Sequence, residues 1–322
     1  VTVTIEADTL EQCPVFYGRV IRGVKNGPSP QWLQDSLRAI GLRPISFLVD
    51  VTNFFAYDRN RPLHVFDADK ISGNALCVHR AKGGETLMGL DEKEYTFDEG
   101  MTLISDAENV ESIAGVMGGL DTGCTEETTN VFIESAYFDP VRTAYTGRAL
   151  KINSDARYRF ERGIDPEWTP YGIEHATRMI LDNAGGEASE VIVAGKVPDT
   201  SRAYKLDAAR VRSLVGMDIP ESEQRQTLTS LGFRLEGNMA HVPSWRPDVQ
   251  GEADLVEEVA RIASLTKLKG VPLPRLTAGV PRPILSAMQK REAIARRTCA
   301  ALGYNECVSY SFIDQASATL FG

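Results

Sequence analysis

The chain has 322 residues, 43% of them hydrophobic and 25% charged, with a net charge of −9. This make-up fits a folded polypeptide of two or three domains and excludes a disordered one, and no apolar run approaches the ~18 residues needed to cross a bilayer. The negative balance also excludes a protein whose whole surface grips a polyanion, which leaves only a local basic patch. The N-terminus, which lacks both Met and a signal-peptide pattern, reads as a strand at the start of a cut piece. Residues 15–24 read as a second strand. A helix follows to about Ile40, with Ser29 able to cap it, Pro30 suited to its first turn and Gly41 ending it. From Leu48 to Phe55 an apolar run carries Asp50, Thr52 and Asn53. Residues 75–80, 94–97 and 101–106 are expected to be short strands between turns rich in Gly and Asp. The stretch from Ile113 to Gly119 holds too much glycine for a helix and implies close backbone approach. Residues 131–136 read as a buried strand, and 168–184 as an amphipathic helix stopped by Gly185.

The polar stretch 195–205, with Pro198, marks a domain boundary. The unit after it reads as helix (207–214), helix (221–231), strand (233–236), strand (239–242) and helix (252–264), with a hairpin at Gly237 and Asn238. That order suggests a winged-helix-like α+β unit. Pro272, Pro274, Pro281 and Pro283 mark a second linker. A helix at 285–302 and a strand at 306–312 follow, and because a strand needs partners, this last segment is expected to be truncated. The expected fold class is α+β, with a strand-rich layered domain and flanking helices over 1–197, a small domain over 204–272 and a partial one over 283–322.

Familiar catalytic motifs are absent: there is no Walker loop, no G-x-G-x-x-G, no H-E-x-x-H and no G-x-S-x-G. The five cysteines are scattered and never spaced C-x-x-C, which argues against a disulfide framework or a zinc site and for reduced thiols in the cytoplasm. Six cations, Arg142, Arg148, Lys151, Arg157, Arg159 and Arg162, cluster among Asp139, Asp155, Glu161 and Asp165. They read equally well as a basic patch or as a salt-bridged surface. Four segments are less easily absorbed into a plain core: Asp50 to Asn53, His64 between apolar neighbours, the glycine-rich Ala114 to Gly119, and Glu134 inside a strand of Val, Phe and Ile. A lone histidine or strand glutamate is commonly structural. Together, polar groups in apolar surroundings need partners or a ligand.

The motifs Asp50-Val-Thr-Asn, Pro62-Leu-His-Val-Phe-Asp, Ala114-Gly-Val-Met-Gly-Gly, Glu134-Ser-Ala and Tyr158-Arg-Phe-Glu-Arg-Gly resemble, in order and spacing, the editing domain of the bacterial phenylalanine–tRNA ligase beta subunit. Pro243-Ser-Trp-Arg-Pro-Asp and residues 252–261 are similar to the small domain that follows there. Leu302-Gly-Tyr and Tyr310-Ser-Phe resemble the opening of its synthetase-like domain. The resemblance implies hydrolysis of tyrosine misattached to phenylalanine tRNA. A hydrophobic synthetic pocket rejects an added hydroxyl by only ~100-fold, whereas a second site with a buried acceptor can demand it. It assigns Glu134 to the tyrosine hydroxyl. It assigns Thr52, Asn53 and His64 to holding the amino acid and the attacking water, with His64 a possible general base. Ala114, Gly115, Met117 and Gly118 would line the pocket, and Ser154 and Ala156 would form the wall beside the tRNA 3′ end. The family more often has Ala-Ser where this chain has Ala156-Arg157, so a bulky cation is expected beside the entrance.

In the small unit, Asp254, Glu257 and Glu258 stand at i, i+3 and i+4 on one helix face with Asp248 nearby. Such carboxylates need a cation or an arginine among them. The resemblance implies Mg²⁺, shared with the alpha subunit; an acidic face paired with Arg261 is the plainer reading. The implied partners are tRNA(Phe) and the alpha subunit, in a tetramer of two of each. The alpha subunit would carry aminoacylation. A non-catalytic assembly module is the alternative. DNA reading by the small unit is disfavoured by its acidic helices.

Overall fold

The protein is described from a computed structural model covering residues 1–274 and 284–320. Pro281 and Pro283 of the expected second linker lie outside the described residues. The chain forms two compact units, Val1–Leu268 and Lys269–Gly322.

The first unit begins with β1 (Thr2–Ile5), β2 (Val15–Arg22), α1 (Gln31–Ala39), α2 (Phe47–Asp58), β3 (His64–Asp67) and β4 (Ala75–Arg80). It continues through β5 (Thr86–Met88), β6 (Glu94–Thr96), β7 (Thr102–Ser105), β8 (Val110–Ile113), β9 (Met117–Gly118) and β10 (Asn130–Tyr137). Then come α3 (Pro140–Ala149), α4 (Asp155–Phe160), α5 (Thr169–Ala184), β11 (Glu187–Ala188) and β12 (Ile192–Gly195). Two sheets carry this part. One has the order β1-β4-β7-β8-β9, and the other the order β11-β2-β10-β3 with β12 also pairing β2.

Side chains alternate across a strand, so each strand of the second sheet serves two cores. Phe132 and Ala136 of β10 and Phe66 of β3 meet Val3, Leu76, Val78 and Ile104 of the first sheet. Val131, Ile133 and Val65 turn to the other side, onto Leu33 and Leu37 of α1, Leu48 and Val51 of α2 and Ile173 and Ile180 of α5. The result is three layers, sheet on sheet on helices. The helix expected at 168–184 buries Ile173, Ala176, Thr177, Ile180 and Ala184, at the spacing of one helical stripe.

One local expectation changes. Ser29 does not cap α1; its Oγ donates to Asp50 Oδ2 at 2.5 Å, and Pro30 takes the cap position without a side-chain bond. The run around Asp50, Thr52 and Asn53 is a helix. Asp50 is fully buried in its first turn and also accepts from the Ile45 backbone N–H at 2.9 Å.

The rest of this unit holds β13 (Ala203–Lys205), α6 (Ala208–Val215), α7 (Glu221–Ser230), β14 (Arg234–Glu236), β15 (Met239–His241) and α8 (Glu252–Ala263). Its sheet has the order β13-β15-β14. Its core joins Val211, Leu228, Phe233, Ala240, Leu255, Val256 and Val259. Class is α+β throughout. In the second unit, α9 (Ala287–Ala301) opens with a capping box of Ser286 and Gln289, and α10 (Gln315–Thr319) follows. The strand expected at 306–312 does not form: those residues pair with no other strand among the described residues, and an isolated strand leaves its backbone unbonded. No described helix is long and apolar enough to cross a membrane.

Candidate active site

β10 and β3 pair antiparallel, with Glu134 directly opposite His64 and Phe132 opposite Phe66. Glu134 therefore shares the face of Phe132 and Ala136, and His64 that of Phe66, so both polar side chains point between the two sheets. There they meet the β8–β9 turn of the first sheet and one side of α4. The cavity they line has a volume of about 50 Å³, well below that of an ordinary ligand pocket. Gly115, Val116, Met117 and Gly118 form one wall, Ala156 and Phe160 another. Ala156 and Phe160 are four residues apart and so lie on one side of α4.

The two polar groups are neutralised by their surroundings. Glu134 is buried, its Oε2 has no hydrogen-bond partner, and burial pushes its carboxyl up to about 8. The His64 Nε2 is shielded and unpartnered, and burial lowers the imidazole to about 4. Near neutral pH the pair is thus an un-ionised acid beside an un-ionised imidazole. The imidazole stands edge-on to Phe66, ring centroids 4.3 Å apart at 87°. Gly118 leaves it room: a Cβ there would lie 2.2 Å from His64 Cε1. The other polar liner, Ser112, spends its hydroxyl on Met117 O at 3.2 Å.

His64, Glu134, Gly115, Met117, Gly118 and Ala156 are brought together around this cavity. Ser154 stands behind it: it caps α4 through the Arg157 N–H and donates to Val116 O at 2.5 Å, tying α4 to the β8–β9 turn. Ala114 is buried in the inter-sheet core and does not line the cavity. Thr52 and Asn53 lie on α2 outside the lining, with the Thr52 hydroxyl bonded to Val49 O at 2.7 Å. Pro62, Leu63, Ser112, Ile113, Val116 and Phe160 complete the lining and were missed. For Phe160 the i, i+4 relation to Ala156 on α4 is the signal that could have found it. Arg157 does not crowd the cavity. It turns back to bond Ile152 O and, at 2.9 Å, Glu161, while Arg159 and Arg162 pair with Asp155 and Glu161. For these three cations the salt-bridged reading of the cluster holds.

The acidic group of α8 does not fit the magnesium expectation. Arg246 sits among the carboxylates, bonding Asp248 twice, at 2.8 and 2.7 Å, and Glu258 at 2.9 Å. Arg261 adds a bond to Glu258 at 2.7 Å. Asp254 accepts from the Gln250 backbone N–H, and Glu257 lies in an apolar groove with Leu214 and Leu265. Among the described residues no three potential ligands converge on a metal position. An arginine supplies the charge that a cation would.

A small cavity between two sheets, with a neutral acid opposite a neutral imidazole and a glycine-rich wall, is the candidate site of an α+β domain. The chain belongs to the B3/4 domain family, which residues 12–185 match, and residues 204–264 match the tRNA synthetase B5 domain. Its relatives are phenylalanine–tRNA ligase beta subunits, the family that the sequence motifs resemble. It is 76% identical to that of Ruegeria pomeroyi and 68% identical to that of Cereibacter sphaeroides, in both cases over 100% of this chain. The chain spans 40% of the length of each of these curated relatives. A crystal structure of an N-terminal fragment of the phenylalanyl-tRNA synthetase beta-subunit from Pyrococcus horikoshii is similar over 80% of this chain and 73% of that one, at 17% identity and a TM-score of 0.37.

Proposed function

We propose that the cavity hydrolyses a wrongly charged aminoacyl-tRNA, releasing tyrosine from phenylalanine tRNA. The observation that carries this reading is the unpaired Glu134 Oε2, buried in a cavity whose other polar side chains are His64 and the self-satisfied Ser112. A phenol hydroxyl satisfies that oxygen. Phenylalanine excludes water from it and offers nothing, which costs ~1–3 kcal/mol. As an un-ionised acid, Glu134 can accept from the phenol or donate to it.

In the reaction, water adds its oxygen to the ester carbonyl carbon, and the bond to the ribose oxygen breaks. The ribose oxygen keeps a proton from that water. His64 lowered to about 4 is a weak proton acceptor, so its role is to accept a hydrogen bond from the water and orient it. Ser154 positions the wall that carries Ala156. Thr52 and Asn53 are given no contact with the tyrosine in this reading. The same reading gives the chain an alpha subunit as partner, the cytoplasm as compartment and no aminoacylation of its own. It also divides the chain into an editing domain (1–197), a small domain (204–272) and the start of a third (283–322).

The test is deacylation of Tyr-tRNA(Phe) beside Phe-tRNA(Phe) by the wild type and Glu134→Ala. The wild type is expected to release tyrosine faster, and the variant to lose about 10- to 100-fold of that preference. The reading fails if neither this chain at high concentration nor an assembled ligase containing it shows a preference that depends on Glu134.

A further inference from the structure

A second depression, of about 470 Å³, is lined by Tyr57, Arg59, Asn60, Asp165, Trp168 and Trp245, together with Asp58. Its walls are the end of α2, the turn before α5 and the loop before α8. Trp245 is 56% exposed and Tyr57 38%, an unusual concentration of accessible ring for one concave surface.

The rings are held in place. The Arg159 guanidinium lies 4.0 Å over the Tyr57 ring, and that of Arg59 6.0 Å from the Trp168 ring. Trp168 also packs on His175, centroids 5.4 Å apart. Trp245 is seated on Gly232, which has a φ of +93° and where a Cβ would lie 2.7 Å from the indole. This depression and the His64–Glu134 cavity flank the same buried residue. Asn60 lines one and Pro62 the other, and between them Arg61 donates to Ala136 O at 3.0 Å and to Asp165 O.

We propose that this depression stacks an unpaired nucleobase close to the 3′ end of the RNA whose terminal ester enters the His64–Glu134 cavity. The inference rests on the proposed function. Aromatic and guanidinium planes stack on bases regardless of sequence. Asn60 and Asp165 also line the depression, the Asp165 Oδ1 accepting from the Glu167 backbone N–H at 3.0 Å. The lining has one cation, Arg59, which is paired with Asp58 at 2.9 Å. Nothing in the lining cradles a terminal phosphate, so the site suits a base presented by a strand over a free nucleotide.

Tryptophan fluorescence tests this directly, because the chain has three tryptophans and Trp32 lies outside the depression. The whole chain carrying Trp32→Phe is titrated with an unacylated single-stranded oligoribonucleotide ending in CCA. Saturable quenching is expected. Trp245→Ala should weaken binding about tenfold or more, and Trp245→Phe should restore most of it. The proposal is overturned by no quenching at millimolar oligonucleotide, by equal binding in Trp245→Ala, or by adenosine monophosphate binding as tightly as the strand. The oligonucleotide carries no ester, so this result is read independently of tyrosine release, which alone decides the proposed hydrolysis.

Discussion

Gly118→Ala isolates the placement of the His64 ring without altering a polar group. The added methyl would lie 2.2 Å from His64 Cε1 and 2.6 Å from Nε2. Carbon contacts are comfortable at ~3.5–4.0 Å, so the ring or the turn must give by more than about 1 Å. The ring has little freedom to do so: Phe66 stands edge-on at 4.3 Å and Glu134 is its neighbour on the facing strand. Overpacking of this kind costs about 1–3 kcal/mol of stability. A displacement near ~1 Å of a positioned group costs on the order of 100-fold in rate. Tyrosine release under single-turnover conditions, measured beside thermal unfolding, should therefore show a large rate loss with a modest fall in Tm. Gly27→Ala is the control, because nothing lies within 4 Å of its added methyl; it should leave both readouts within error. A folded Gly118→Ala protein that releases tyrosine at the wild-type rate would refute the claim that ring position matters.

Stability should also follow pH through the same pair. His64 is lowered from 6.5 to about 4, so the folded state binds fewer protons than the unfolded one between those values. Its contribution is present above pH 6.5 and lost as the pH falls through about 4, on the order of 3 kcal/mol in all, and denaturant titrations of His64→Gln should flatten that acid limb. Glu134 has the opposite sign: raised from 4.5 to about 8, its contribution is full below 4.5 and lost as the pH rises through 8, so Glu134→Gln should gain on the wild type across that window. Arg246→Ala leaves Glu258, whose side chain is 7% exposed, with Arg261 as its one remaining cation, and should cost on the order of 1 kcal/mol by urea unfolding. Millimolar magnesium should leave the wild-type transition unmoved, because Arg246 already pairs with Asp248 and Glu258; a clear magnesium-dependent rise in Tm would overturn that assignment.

Elements whose burial has a single period were legible in the sequence. β10 reads as a continuous buried run because both of its faces meet a core, and α5 shows a helical stripe because one side of it packs on the sheet. The segment from Phe47 to Asp58 was not legible, for a physical reason. It buries Phe47, Leu48, Val51 and Phe55 together with Asp50, whose carboxylate ties Ser29 and Ile45 on either side of α1. An acid that serves the backbone of another segment leaves no periodic trace of its purpose, and its helix was obscured. The strand expected at 306–312 failed differently. Its composition suits a strand, but pairing is a property of two segments, and no described segment is available to it.

The candidate site shows what local pattern can and cannot supply. Parity put His64 with Phe66 and Glu134 with Phe132, so each was placed on an inward face by its own strand. Their meeting depends on the register between β3 and β10, and a slip of one residue would turn either strand's polar group toward the helices. That register is held by matched apolar pairs on both faces, Phe66 with Phe132 between the sheets and Val65 with Ile133 against the helices. The chemistry of the pair is thus fixed by apolar packing. The same residues that set the register withdraw water from both groups, and that withdrawal keeps the acid protonated and the imidazole neutral. On the proposed reading, selectivity rests on an unpaired buried oxygen and needs this arrangement: if the register relaxed enough to admit water, Glu134 would be solvated, and phenylalanine would no longer be penalised.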